Sequence, residues 1–287
     1  MYKSVLVTGA SSGIGEATAV HLAHKGFRVF AAARRLDKLK TLSGLGGGRI
    51  TPLEMDVTDE ASIAAALAEI SDGGGALYGL VNNAGVSVMG PLEEVPAADW
   101  RRQYETNVFG LVNVTRAVLP QMREAGRGRI INIGSVAGRI AAPFQSVYAS
   151  SKHAVEGLSD SLRRELAPHG VKVSLIRPGF INTPFGAQEQ EELERYAGGA
   201  YAEQLKIFKA WHAKGHPNAA GPIVVAEAVH HALTAKRPHS RYTAPAKFLG
   251  FLAMRNLLPS AIVDRVLERV IGLAGVDKKT TVKGLDS

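Results

Sequence analysis

Short apolar runs alternate with stretches of helical spacing along most of this chain. Runs rich in β-branched residues fall at residues 3–8, 27–33, 50–55, 77–83, 129–134 and 171–177, and a seventh at 241–244. Helical spacing fills 15–25, 62–71, 97–124 and 148–167. Six of the runs are apolar at nearly every position, as expected of strands covered on both faces. Strand–helix–strand repetition predicts an α/β fold: a doubly wound parallel sheet of about seven strands in three layers, in one Rossmann-like domain. The glycine-rich pieces at 44–48 and 73–75 read as surface loops, too short for linkers.

The chain has 287 residues, of which 46% are apolar and 21% charged, so it is neither disordered nor a membrane bundle. It has no cysteine, which excludes disulfides, thiolate metal sites and a thiol nucleophile. No secretory signal is visible, no apolar run approaches the ~18 residues of a spanning helix, and a cytoplasmic protein is expected. The net charge is +8, and residues 236–287 supply six of those charges. This basic extension reads as a solvated surface, with at most peripheral membrane contact and no nucleic-acid pattern. None of the nine histidines has ligand spacing, so no metal is expected.

The first run ends in Thr8-Gly9-Ala10-Ser11-Ser12-Gly13-Ile14-Gly15, and a helix follows. A helix N-terminus leaves unpaired N–H groups and a partial positive charge, so a pyrophosphate is bound there by backbone donors. Glycines let the chain turn and approach closely. The second run ends in Arg34-Arg35, where an NAD site would place an acid against the ribose 2′-hydroxyl. Arginine pairs with a 2′-phosphate instead, which favours NADP(H) over NAD(H). The alternative is a pair of solvated arginines opening a helix. Asp56, followed by Val57, offers either an acceptor for an adenine amino group or a helix cap.

Tyr148 and Lys152 are one helical turn apart on one face. A free phenol titrates near ~10, and a neighbouring ammonium favours the phenolate. Lys152 is therefore expected to lower the Tyr148 pKa. Ser135, at the end of the fifth run, could hold the substrate oxygen that exchanges a proton with Tyr148.

These residues, with Asn82-Asn83-Ala84-Gly85, Asn107 and Pro178-Gly179-x-x-x-Thr183, resemble the short-chain dehydrogenase/reductase family in order and spacing over roughly residues 3–185. The resemblance implies NAD(P)-dependent hydride transfer between an alcohol and a carbonyl. It implies Tyr148 as proton donor in reduction, Lys152 as the group that lowers its pKa and bonds the nicotinamide ribose, and Ser135 as the group orienting the carbonyl. Asn107 would hold a water of the proton relay, Asn83, Ala84 and Gly85 would flank the cofactor, and Pro178, Gly179 and Thr183 would cover the nicotinamide. The basic residue the family places in the first glycine loop is missing; Ser11 and Ser12 stand there. A homodimer or homotetramer is expected from relatives, through helices 97–124 and 148–167.

Six of the 18 aromatic residues lie between Phe180 and Trp211. They suggest either an apolar lid over a bulky substrate (about 183–220) or a buried helix pair. Glu189, Glu191, Glu192 and Glu194 read as a solvated helix face. The 236–287 extension more loosely resembles bacterial relatives of 17β-hydroxysteroid and retinol dehydrogenases, implying a lipophilic steroid, retinoid or long-chain carbonyl or alcohol as substrate. Phe248, Leu249, Phe251 and Leu252 would close the pocket, meet a second subunit or touch lipid. The rival functions are an NADP(H)-sensing binding protein without catalysis, and an epimerase or dehydratase of the extended relatives.

Overall fold

The computed structural model describes residues 3–73, 76–215 and 219–275. Parts of the expected 73–75 loop, the lid segment and the basic extension lie outside the described residues. The strands are β1 (Ser4–Thr8), β2 (Arg28–Ala33), β3 (Ile50–Glu54), β4 (Leu77–Asn82), β5 (Gly128–Ile133), β6 (Val171–Pro178) and β7 (Arg241–Ala244). They form one sheet in the order β3-β2-β1-β4-β5-β6-β7, parallel throughout. The order reverses between β1 and β4, and ligands of such sheets bind beyond the strands' carboxyl ends at that point.

The helices are α1 (Gly13–His24), α2 (Leu36–Leu45), α3 (Glu60–Asp72), α4 (Ala97–Tyr104), α5 (Leu111–Glu124), α6 (Ser146–Leu166), α7 (Pro184–Glu194), α8 (Ala202–Gly215), α9 (Ile223–Thr234), α10 (Leu249–Leu257) and α11 (Ser260–Ile271). Successive strand residues point to opposite faces. Val5 and Val7 of β1 therefore pack with Leu22, Leu39, Val229 and Leu233, under α1, α2 and α9. Leu6 joins Ile63, Val114 and Val118 on the other face, under α3 and α5. Both faces of the strand are buried, which explains the continuous apolar runs.

Two features differ from the expectation. The helix expected over 97–124 is interrupted by a π-helical turn, Glu105–Gly110, between α4 and α5. An extra residue in a turn re-aims its side chains, and such turns collect at functional sites. Residues 44 and 45, expected in a loop, end α2 instead, a helix whose short apolar stripe is only Leu39 and Leu42.

Buried polar groups tie the layers together. Asn82 of β4 donates to Asn132 of β5 and to Thr115 of α5, both at 2.9 Å, and Asn132 donates to Ser159 of α6 at 2.9 Å. Glu156 of α6 accepts from Arg177 of β6 at 2.7 Å and from Arg241 of β7 at 3.2 Å. The Glu156 and Arg177 side chains are only 7% and 12% exposed. Removing one member of a buried pair strands its partner's charge. Glu156→Gln is therefore expected to destabilise the protein by about 3 kcal/mol, read as a shift in the urea unfolding midpoint.

Candidate active site

One cavity of about 1110 Å³ opens beyond the carboxyl ends of the strands. Its first wall is the turn from β1 into α1. Gly9 and Gly13 hold φ of +65° and +60°, where a side chain is strained. A Cβ on Gly9 would lie 2.7 Å from the Ala84 Cα, and one on Gly15 would lie 2.3 Å from the Gly9 carbonyl oxygen. The Asn83 amide donates to the Thr8 and Gly9 carbonyls at 3.0 and 3.1 Å, and the Thr8 hydroxyl accepts from the Asn83 and Ala84 N–H groups. The loop after β4 thus locks the glycine turn in place. Ser12 caps α1 with no side-chain bond to its N–H groups, which leaves those donors for an anion.

The remaining expected cofactor residues converge on the same cavity. Ser11, Ser12, Gly13 and Ile14 line it, as do Arg34, Arg35, Asp56 and Val57. Arg35 donates to the Ser11 hydroxyl at 2.9 Å and also sits at the N-terminal boundary of α2, so it both opens a helix and faces the turn. Arg34 stands 3.9 Å from Asp56 and is 74% exposed. Asp56 does not cap α3, a task Asp59 performs. Asp56 instead accepts from the Thr58 backbone N–H and hydroxyl at 2.9 and 2.8 Å. Asn83, Ala84, Gly85, Pro178, Gly179 and Thr183 also line the cavity, whereas Gly15 does not and packs against the Gly9 carbonyl and the Asn83 side chain. The Thr183 side chain is placed against Gly13, across the turn.

Ser135, Tyr148 and Lys152 all line the cavity and all are buried. The Ser135 hydroxyl accepts from the Ala137 N–H at 3.1 Å. The Lys152 ammonium donates to the Ile133 carbonyl at 3.0 Å and lies 5.7 Å from the Tyr148 ring centre. Burial pushes the phenol well above its ordinary range, the Glu189 carboxylate pushes it further, and the nearby Ser135 hydroxyl opposes both. The expected acidification of Tyr148 by Lys152 is therefore not what this arrangement shows. Burial also pushes the Lys152 ammonium down, to about 8, because a charged amine loses its hydration. Tyr148 is held as an acid with its proton on.

Asn107 sits in the π-helical turn and does not line the cavity. Its amide bonds Val86 in both directions, accepting from the N–H at 2.8 Å and donating to the carbonyl at 2.9 Å. Gln103, which no local pattern singles out, does the same work one turn earlier. It accepts from the Val88 N–H at 2.8 Å and donates to the Val86 carbonyl at 3.0 Å and to Ser151 at 3.1 Å. Ser151 in turn donates to the Tyr148 carbonyl. Together they brace the chain after β4 against the helix that carries Tyr148 and Lys152.

The far wall of the cavity comes from α7, α8, α10 and α11. The aromatic cluster divides between core and cavity. Tyr196 and Phe208 are buried core, whereas Phe180, Phe185 and Trp211 line the cavity. Phe248, Phe251 and Leu252 line it too, and Leu249 is 55% exposed. A Cβ on Gly179 would overlap the Phe248 ring, so that ring lies flush on the backbone after β6. The acidic run on α7 departs from expectation: Glu189 is not solvated but buried, bonded to Ser87 and His212. Alternation along α7 could not reveal this, because His212 is on the next helix.

A parallel sheet with a phosphate-type cradle at its switch point, and a Ser–Tyr–Lys group beside it, defines a nucleotide-dependent oxidoreductase. The short chain dehydrogenase family matches residues 3–194, and the chain belongs to it. The uncharacterised oxidoreductase YbbO of Escherichia coli is 35% identical, over 93% of this chain and 95% of its own length. Human retinol dehydrogenase 5 is 36% identical, over 93% and 88%. Among solved structures, serine dehydrogenase complexed with NADP+ matches with a TM-score of 0.72 at 32% identity, covering 84% of this chain and 93% of that one. A Burkholderia phymatum short chain dehydrogenase in complex with NAD matches at 0.76 with 26% identity, covering 89% and 93%.

The buried amine has a measurable consequence. Between pH about 8 and its ordinary value of 10.5, Lys152 is deprotonated in the folded protein and protonated in the unfolded one. The unfolded state then binds more protons, so this group's contribution to stability rises with pH. Cofactor-free wild type is expected to gain ~2 kcal/mol on Lys152→Met between about pH 7 and pH 9.5, in paired denaturation curves.

Proposed function

We propose that this protein is an NADP(H)-dependent reductase and dehydrogenase of lipophilic carbonyls and alcohols. The observation that carries the reading is the Ser135–Tyr148–Lys152 group lining the same cavity as a backbone cradle. The cradle fits a dinucleotide: its glycines leave no room for a Cβ, and the N-terminal N–H groups of α1 face it. When bound there, the nicotinamide supplies or takes up the hydride.

The protein's own residues do the rest. In reduction Ser135 donates a hydrogen bond to the carbonyl oxygen and fixes its position. Tyr148, kept protonated by burial, gives that oxygen its proton as negative charge develops. The charged Lys152 ammonium stabilises the tyrosinate left behind and is placed to hold a ribose hydroxyl. Asn107, through Val86, keeps the wall beside them in place, and a water held there would return the proton.

Arg34 and Arg35 support the 2′-phosphate, since no acid follows β2 before Asp37. The aromatic and aliphatic walls from Phe180, Phe185, Trp211, Phe251 and Leu252 support a bulky apolar substrate, as does the name of the retinol-active relative. Phe109, half exposed on the π-helical turn, supports a homo-oligomer through the α4–α5 face.

Tyr148→Phe is expected to reduce NADPH-dependent reduction of medium-chain and retinoid aldehydes about a thousandfold, with NADPH affinity within a few-fold of wild type by fluorescence titration. Full activity in that variant would refute the proton-donor assignment. Arg35→Asp is expected to lower the NADPH-to-NADH ratio of kcat/KM by ~10–100-fold, the worth of one or two charge-assisted bonds.

A further inference from the structure

The α7–α8 wall of the cavity contains an acid–imidazole pair to which the mechanism above assigns no task. Glu189 is 7% exposed and His212 1%. The Glu189 carboxylate accepts from the Ser87 hydroxyl at 3.0 Å and pairs with His212 Nε2 at 3.2 Å. His212 Nδ1 lies 2.7 Å from the Gln190 amide nitrogen. With that amide donating, Nδ1 accepts, and the ring hydrogen sits on Nε2 against the carboxylate. The imidazole is also held between rings, 5.5 Å from Phe180 and 5.8 Å from Phe208, so its plane is fixed.

Stability does not call for this pair. Leu193, Tyr196, Leu205 and Phe208 already carry the apolar packing of α7 on α8. Burying a carboxylate has a desolvation cost that an apolar side chain of similar volume would avoid. Ser87, Glu189 and His212 all face the cavity, between the aromatic rings of Phe180, Phe185 and Trp211 and the charged Arg102, Glu192 and Arg195. Glu189 is also near enough to act on the Tyr148 phenol, so the pair borders the reacting centre. The nearby cations Arg102 and Arg195 are engaged by Asp99 and Glu192.

A carboxylate fixed in orientation by Ser87 and His212 reads one chemistry. It rewards a ligand that adds a further donated hydrogen bond over one that has no donor to offer. It repels an anion. We propose that Glu189, held by His212 and Ser87, is a specificity-determining acceptor, and that the substrate is a lipophilic carbonyl compound carrying a hydroxyl or ammonium group. The proposal rests on the oxidoreductase reading for the carbonyl and on the α7–α8 pair for the donor.

The test is calorimetric binding to the NADP+-loaded enzyme, so that it does not depend on turnover. The probes are straight-chain methyl ketones in five forms: unsubstituted, hydroxy, amino, methoxy and carboxy, the substituent moved stepwise along the chain. At the best position, wild type is expected to bind the hydroxy or the amino form at least tenfold tighter than the unsubstituted and methoxy forms, and the carboxy form weakest. Whichever of the two donors gains more identifies the group read. Glu189→Leu is expected to bring the donor-bearing and unsubstituted ketones within threefold of each other. Glu189→Gln, which keeps the shape and an acceptor oxygen, is expected to erase the preference for the amino form and reduce that for the hydroxy form. Equal wild-type affinities for all neutral forms, or a preference that survives in both variants, would overturn the proposal while leaving carbonyl reduction intact. A donor preference in an enzyme that oxidises no NADPH with any probe would instead sink the reductase reading and leave this acceptor standing.

Discussion

Lys152 sits almost free of solvent, one helical turn from an equally buried phenol, and donates to the Ile133 carbonyl at the end of a central strand. That contact between α6 and the carboxyl end of β5 is the constraint on which the rest of the site depends. A buried amine is tolerated only where an acceptor and a rigid frame hold it. The frame is visible on every side. Arg177 and Arg241 grip Glu156 one turn further along α6, Ser159 anchors the helix to Asn132, and Ser151 ties it to Gln103. The helix cannot slide or rotate without breaking several buried polar contacts at once.

The same contact explains why the phenol behaves as it does. Within this cavity the amine is spent on a backbone carbonyl rather than on the tyrosine ring. The phenol therefore responds to burial and to the acid on α7 more than to its helical neighbour. Under the proposed reaction a phenol kept protonated would suit proton donation to a carbonyl oxygen, and the amine's charge would become useful after the proton has left.

Much of this was legible in the chain. The strands stood out because burial on both faces leaves no polar alternation, and the glycine turn, the Asn83–Gly85 stop and the Tyr148–Lys152 pair are local patterns that need no tertiary knowledge. What escaped shares a different property. Gln103 and Glu189 look like ordinary surface polars on helices, and each is made internal only by a partner far along the chain: Ser151 for the first, His212 for the second. The π-helical turn was hidden because one inserted residue barely disturbs a 3.6-residue rhythm, yet it swings Asn107 onto Val86. Residues 44 and 45 looked like a loop because glycine dominates their neighbourhood, although two buried leucines suffice to hold α2 on the sheet.

The two ends of the cavity are made of different material. The cradle is mostly main chain, defined by where side chains are absent, so few replacements there are survivable. The far walls are side chains on α7, α8, α10 and α11, outside the sheet and separated from it by loops. Such a division lets natural drift or directed selection reshape the far walls while the glycine cradle stays untouched. Diversification of this lineage should therefore be written in the final third of the chain.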